Sequence, residues 1–316
     1  MVWTGTRRTV LTAAGLSLLA AGCEAADDHG TDGGSPFTGE KAVGAKVLAV
    51  KIDNVPAARP QTGLDRADIV YVEQVEAGLT RILAVFASRL PGSVGPVRSV
   101  RESDLELLRQ YGRPALAYSG VQSKLRDKVE SAPLVPLPPG RLPSDGYARD
   151  PGRPAPHNLF LRPRRAVAAA SDATAPRDIG FRFGSAPKGG RPAQQHTVRF
   201  PAARFSFDWS AGRRRWLISI DGAPARTSGG GRLGAATVVV QYVKVRDSDF
   251  GDRSGSVTPY TETVGSGRAL VLRGGKRYDA RWSRPTASGG TAFTGTDGRR
   301  LRFARGPVWV ALAPVG

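Results

Sequence analysis

Short apolar, β-branched runs punctuated by Gly, Pro and Asp recur along this chain, and only a few stretches carry helical spacing. Val47 to Ile52, Ile69 to Val75 and Ile82 to Phe86 are such runs, which predicts strands of one sheet. From Ser103 to Tyr111, Leu105, Leu107 and Leu108 stand at near-helical spacing behind a polar start and ahead of Gly112, so a helix is predicted. Ala115 to Tyr118 reads as a further strand, and Ser123 to Val129 and Arg164 to Ala170 as helices. Pro133 to Pro156 is crowded with proline and glycine and reads as an exposed or functional loop.

After about Ala173 helical periodicity fades. Val198 to Phe200, Arg204 to Asp208, Arg215 to Ile220, Thr237 to Val245, Ala269 to Leu272, Tyr278 to Trp282, Leu301 to Phe303 and Val308 to Leu312 read as strands. Asp221-Gly222, Gly274-Gly275 and Asp297-Gly298 are hairpin-turn signals between them. The pattern predicts an α+β N-terminal domain over residues 45–172 and a mostly antiparallel, β-rich C-terminal domain over 173–316.

The first 44 residues follow neither pattern. Arg7 and Arg8 precede an apolar run from Val10 to Ala21, and Ala20-Ala21-Gly22-Cys23 ends it. A run of about 12 residues is too short to span a bilayer and has the length of a signal h-region. The single cysteine of the chain sits where a lipoprotein box places the lipidated thiol. Residues 1–22 are therefore read as a signal peptide and Cys23 as the lipid attachment point. Residues 23–44, rich in Gly, Ala and Asp with Phe37 as the one large apolar residue, read as a disordered tether. Thr6-Arg7-Arg8-Thr9-Val10-Leu11 fits a twin-arginine export signal, and an ordinary secretory signal fits as well. Stable attachment takes more than one acyl chain, so a multiply acylated N-terminus on the extracytoplasmic face of the membrane is expected.

Charge adds to this picture. Lys plus Arg is 46 against 27 for Asp plus Glu, a formal net charge of +19. Such a surface attracts polyanions, which outside a cell are wall polymers and anionic headgroups. The excess is nearly all arginine in an Ala-, Gly- and Pro-rich chain, which GC-rich coding also produces. With Cys23 committed to lipid, no thiol remains for catalysis, disulfides or metal. His29, His157 and His196 lack metal-ligand spacing, and neither metal nor cofactor is expected. Gly229, Gly231 and Gly234 have the spacing of a dinucleotide loop but lead into Thr237-Val238-Val239-Val240, a strand where a helix is required. Ser185 and Lys188 match a penicillin-binding spacing without a helix to aim the serine. Nucleic acid is not an expected partner, because the basic band lacks interleaved aromatics.

Candidate chemistry concentrates between residues 51 and 104. Strand ends and a helix start there would bring Arg59, Arg81, Arg98 and Arg101 near Asp53, Glu73, Glu76 and Asp104. One reading is structural: ion pairs, a cap from Ser99 or Ser103, and Arg98 paired with a glutamate. The other is an anion pocket, in which guanidinium forks beside a helix N-terminus take phosphate or carboxylate groups.

At these residues the chain resembles a known family. Lys51-Ile52-Asp53-Asn54, Ala58-Arg59-Pro60-Gln61-Thr62-Gly63-Leu64, Ala67-Asp68-Ile69-Val70-Tyr71, Thr80-Arg81 and Gly95-Pro96-Val97-Arg98-Ser99 are similar to the YerB-like bacterial lipoproteins, as is Pro156-His157-Asn158-Leu159. Val257-Thr258-Pro259-Tyr260 and Gly306-Pro307-Val308-Trp309-Val310 resemble that family's C-terminal domain. The resemblance implies a layered β-β-α sandwich in the N-terminal domain, attachment to the membrane by lipid, and no established catalytic residues. For the Bacillus member it carries a suggested link to penicillin-binding proteins and wall synthesis. The chain departs from the family at Glu76-Ala77-Gly78 and at Ser119-Gly120-Val121, where glycine- or histidine-rich stretches are usual.

Two functions are therefore expected in competition. The first is a non-enzymatic lipoprotein that binds a wall-synthesis protein, such as a penicillin-binding protein, or an anionic wall polymer. The second is an enzyme on phosphate-linked wall precursors, with Arg59, Arg81, Arg98 and Arg101 on the phosphates and Asp53 or Glu73 as base. The candidate ligand-binding set is Asp53, Asn54, Arg59, Gln61, Glu73, Arg81, Arg98, Ser99, Arg101, His157 and Asn158. The enzyme requires a deep pocket where these side chains converge, whereas mutual pairing without a cavity favours the binding protein.

Overall fold

A computed structural model of the chain describes residues 1–3, 34–41, 44–251 and 256–315. The rest of the leader, with Cys23, lies outside the described residues. Strands β1 (Leu48–Asp53), β2 (Ile69–Gln74) and β3 (Thr80–Phe86) form where the β-branched runs predict them. Helix α1 (Glu102–Leu108) continues as a 3-10 turn over Arg109–Tyr111 and stops at Gly112, whose φ of 81° suits glycine. Strand β4 (Ala115–Ala117) follows, then helix α2 (Arg126–Ser131) behind a 3-10 turn, and later helix α3 (Pro163–Ala169). The proline-rich loop is more ordered than its composition suggests, because it contains an edge strand, β5 (Val135–Leu137), and the short strand Tyr147–Arg149. Proline is tolerated at such an edge, where its missing N–H leaves no internal ladder bond unmade.

The main sheet has eleven strands and runs through both halves of the chain. Its order is Ala292–Gly295, Lys276–Arg284, Gly265–Arg273, Thr237–Val243, Val308–Pro314, β2, β3, β1, β4, β5, with Arg191–Pro192 also on Lys276–Arg284. The last strand, Val308–Pro314, lies between Thr237–Val243 and β2 and is parallel to both. The C-terminal half is thus antiparallel within its hairpins, and parallel pairing joins it to the N-terminal half. A smaller sheet of Gln195–Phe200, Ala203–Ser210, Arg215–Ile220, Ala223–Pro224 and Gly234–Ala235 makes a second layer. Asp221 and Gly222 both have positive φ, as a two-residue primed turn requires, and so do Gly274 and Gly275.

Period-two alternation sorts side chains onto two faces of the main sheet. Val50, Ile52, Val70, Val72, Ala84, Trp309 and Ala311 share a core with Phe205, Phe207, Trp216 and Ile218 of the smaller sheet and Ala166 of α3. Ala49, Tyr71, Leu83, Val85 and Val310 share the opposite core with Leu107 and Leu108 of α1, Val129 of α2 and the aromatics Phe181, Phe293 and Phe303. The layers are β, β and α, but the second β layer is built from the C-terminal half, outside residues 45–172.

The tether expected over 23–44 does not describe its last part. Gly34 bridges Lys41, and Phe37 is fully buried with its ring edge-on to Tyr111 at 5.3 Å. One large aromatic is enough to fix a short glycine-rich loop when a core is ready to receive it.

Candidate functional site

Strand register places the charged band. Lys51 and Asp53 continue the Ala49 face of β1, and Arg81 of β3 stands directly opposite both Asp53 and Glu73 of β2. These side chains therefore extend the helix-covered face to the sheet end, where α1 begins.

Asp53 is 2% exposed and carries most of the links. Its Oδ2 meets Arg98 Nε at 3.0 Å and His157 Nδ1 at 2.8 Å, and its Oδ1 accepts the Asn54 N–H at 2.9 Å. Asn54 donates to Thr80 Oγ1 at 2.8 Å and accepts from Gln61 at 2.9 Å. Asn158 accepts from Arg149 at 2.7 Å. Arg98 thus pairs with an aspartate, whereas the ion-pair reading expected a glutamate.

Glu73 pairs instead with Lys51, which also donates to Asp104 Oδ1 at 2.8 Å. Lys51 is fully buried, and burial pulls its ammonium down to about 8 against the opposing pull of Asp104. Arg101 forks onto Glu76 at 2.7 and 2.8 Å, and Thr258 Oγ1 donates to the same carboxylate at 2.7 Å. Burial raises Glu76, yet the Arg101 fork and charge and the Thr258 hydroxyl hold its carboxyl down at about 2.

Neither serine caps α1. Asp104 Oδ2 accepts the Arg101 N–H at 2.7 Å, and Ser103 Oγ accepts from the Thr261 backbone at 2.9 Å. A carboxylate three residues into the helix serves the turn better than a hydroxyl, because it is anionic at the positive helix end.

The four arginines do not converge on one point. Arg81 and Arg101 both donate to the Ser99 carbonyl, at 3.3 and 3.4 Å, so Ser99 contributes backbone. Arg81 is nine-tenths buried and is pulled down to about 10 by burial and the nearby Arg101 and Arg98 charges, against Glu76 and Asp53. Arg59 turns away, donating to Asp221 Oδ2 of the smaller sheet at 2.8 Å and to the Asn54 carbonyl at 2.6 Å. Two cavities, of about 370 and 290 Å³, lie elsewhere: one is on the outer face of the smaller sheet and the other lies between Thr62, Arg149, Arg153 and Ser228. Among the described residues no group of three His, Cys, Asp or Glu side chains could hold a metal ion.

Lys51, Arg149, Asp221 and Thr258 are members of this network that residue spacing did not single out. Lys51 alternates in register with Ala49 and Asp53, which marks it as facing the helices. Thr258 lies in the Val257-Thr258-Pro259-Tyr260 motif.

Comparison with known proteins agrees with this architecture. Residues 33–177 match a family described as "Protein of unknown function (DUF3048) N-terminal domain", and residues 196–310 match the corresponding C-terminal domain. The putative lipoprotein YerB of Bacillus subtilis (strain 168) is 47% identical over 72 residues, a stretch covering 22% of this chain and 22% of that protein. That match spans about a fifth of the curated relative's length. The crystal structure of YerB from Bacillus subtilis superimposes with a TM-score of 0.76 at 22% identity, covering 89% of this chain and 96% of that one, a likeness of fold. The chain belongs to the DUF3048 family and carries both its N-terminal and its C-terminal domain.

Proposed function

We propose that this protein is an extracytoplasmic lipoprotein, anchored through Cys23, that works as a binding or regulatory protein of cell-envelope synthesis. The leader pattern supports the anchor, as does a relative named a putative lipoprotein. The observation that favours binding over catalysis is the state of Asp53. A general base needs a lone pair within about 2.6–3.2 Å of the proton it takes. Asp53 is buried, and both its oxygens are occupied by Arg98, His157 and the Asn54 N–H. Glu73 is buried and ion-paired with Lys51 through one of its oxygens. The partner is a penicillin-binding protein or an anionic wall polymer.

The test is Arg98→Ala in cells, with turnover of lipid-linked wall precursors measured beside binding to the partner. Turnover that changes only in step with binding supports the proposal, and abolished turnover with intact binding sinks it. Cys23→Ser tests the anchor and should move the protein from the membrane to the soluble fraction.

One observation favours a second reading. Asp53 orients His157 through Nδ1, which leaves Nε2 as the nitrogen free for proton transfer. In an enzyme acting on phosphate-linked precursors, His157 would be the acid–base group and Asp53 its positioning partner.

A further inference from the structure

The N-terminal cluster spends its positive charge on carboxylates, whereas the outer face of the smaller sheet keeps its own. Between Gln195 and Ala235 the sequence has seven arginines against two acidic residues, Asp208 and Asp221. Alternation sends Val198, Phe205, Phe207, Trp216 and Ile218 into the core. The intervening residues face outward, with Thr197 opposite Ser206, Ser206 opposite Ser219, and Arg199 directly opposite Arg204. Like charges placed directly across a ladder oppose folding.

Nothing on this face relieves them. Among the described residues neither Arg199 nor Arg204 has a carboxylate within salt-bridge distance. Asp221 is held by Arg59 at 2.8 Å and by the Arg204 backbone N–H at 2.8 Å, and Asp208 accepts from Gln195 at 2.6 Å. Arg232 lies across the same face and donates to Ser219 Oγ at 3.0 Å. Its proton affinity is lowered by burial and, against Asp208, by the charges of Arg226 and Arg213. The surface is concave: a groove of about 370 Å³ is lined by Gln195, Thr197, Arg199, Arg204, Ser206 and Ser219, with Asp208 also contributing.

We infer that this groove binds a linear polyanion of phosphodiester-linked polyol or sugar units. Arginine forks match phosphate oxygens in pairs. The hydroxyls of Thr197, Ser206 and Ser219 and the Gln195 amide both donate and accept, which suits the hydroxyl-rich links between phosphates. A groove receives one chain, whereas a bilayer presents a plane. The inference deepens the binding reading above and rests on it for access to such a polymer, and it adds a contact in the C-terminal half to the one that Arg98→Ala probes.

The experiment titrates the purified full chain in detergent with synthetic poly(glycerol phosphate), with poly-L-glutamate and dextran as comparators. Poly(glycerol phosphate) should bind at least about tenfold more tightly than polyglutamate of equal charge, with no binding of dextran. The double variant Arg199→Ser, Arg204→Ser should weaken binding by about tenfold or more. Arg268 and Arg281 face each other on the main sheet, so Arg268→Ser, Arg281→Ser is a variant of matched charge, and it should change affinity by less than about twofold. All four side chains are exposed, and melting curves matching the wild type's are the check that the variants fold. Equal losses in the two doubles, equal binding of polyglutamate, or preference for anionic lipid micelles would overturn the inference. Those results would leave the broader binding reading standing with a protein partner, whereas soluble behaviour or abolished precursor turnover would strike that reading and not this one.

Discussion

His157 and Asp53 are 104 residues apart in sequence and meet through Nδ1 and Oδ2 at 2.8 Å. Arg98 shares that oxygen at 3.0 Å, so one buried carboxylate ties the end of β1 to the segment before α1 and to the loop that ends in Asn158. Asp53→Asn keeps the shape and removes the charge. Hydrogen bonds to charged groups contribute about 1.5–3 kcal/mol, so a loss of roughly that size is expected in urea unfolding at pH 7. Protease sensitivity should rise in the loop around His157 before it rises elsewhere.

Lys51 gives the stability a basic-side dependence. Its folded value, about 8, lies below the ordinary 10.5, so the unfolded chain holds the proton more tightly. Stability should therefore rise as pH rises from about 8 toward 10. Beyond that Tyr71, pushed up to about 12 by burial, works against the trend, because the folded state then holds its proton longer. Lys51→Met should abolish the rise. It should also cost about 3–5 kcal/mol at pH 7, since the buried carboxylates of Glu73 and Asp104 lose their shared cation. Urea midpoints measured between pH 7 and 10 check both.

The position of Val308–Pro314 between β2 and Thr237–Val243 makes the two family domains one folding unit. Arg284, fully buried, adds a tie by donating to the Glu106 carbonyl at 2.7 Å and to Thr263 Oγ1 at 2.9 Å. Heating should give one transition for both halves. A chain ended after Arg305 should expose the edges of two buried strands and aggregate. Two separated calorimetric transitions would refute this coupling.

Some of this was legible in the residues and some was not, for physical reasons. The runs from Val47, Ile69 and Ile82 are rich in β-branched residues and bounded by turn residues, so their strands could be read directly. Arg98, Arg101, Asp53 and Glu76 could be grouped because they crowd the ends of those strands. Lys51 was missed as the partner of Glu73, since a lysine at a strand end ordinarily reaches water. Thr258 lies 182 residues from Glu76 and Asp221 162 from Arg59, and no local pattern signals such contacts. Val245–Gly251 carries Arg246, Asp247 and Asp249, which hides a strand that period-two alternation would otherwise reveal. Phe37 reads as part of a tether because a lone aromatic among glycines does not show that a core awaits it. The parallel insertion of the last strand depends on topology, which alternation does not encode.

The proposal that the protein binds and does not catalyse is tested most directly at His157. Turnover of lipid-linked wall precursors is to be compared in cells carrying the wild-type protein, a deletion, and His157→Gln, which keeps a polar contact to Asp53 and removes the titrating nitrogen. The account predicts that the deletion alters turnover while His157→Gln, folded and membrane-bound, behaves as wild type. A His157→Gln strain indistinguishable from the deletion, with the protein present and folded, would contradict it.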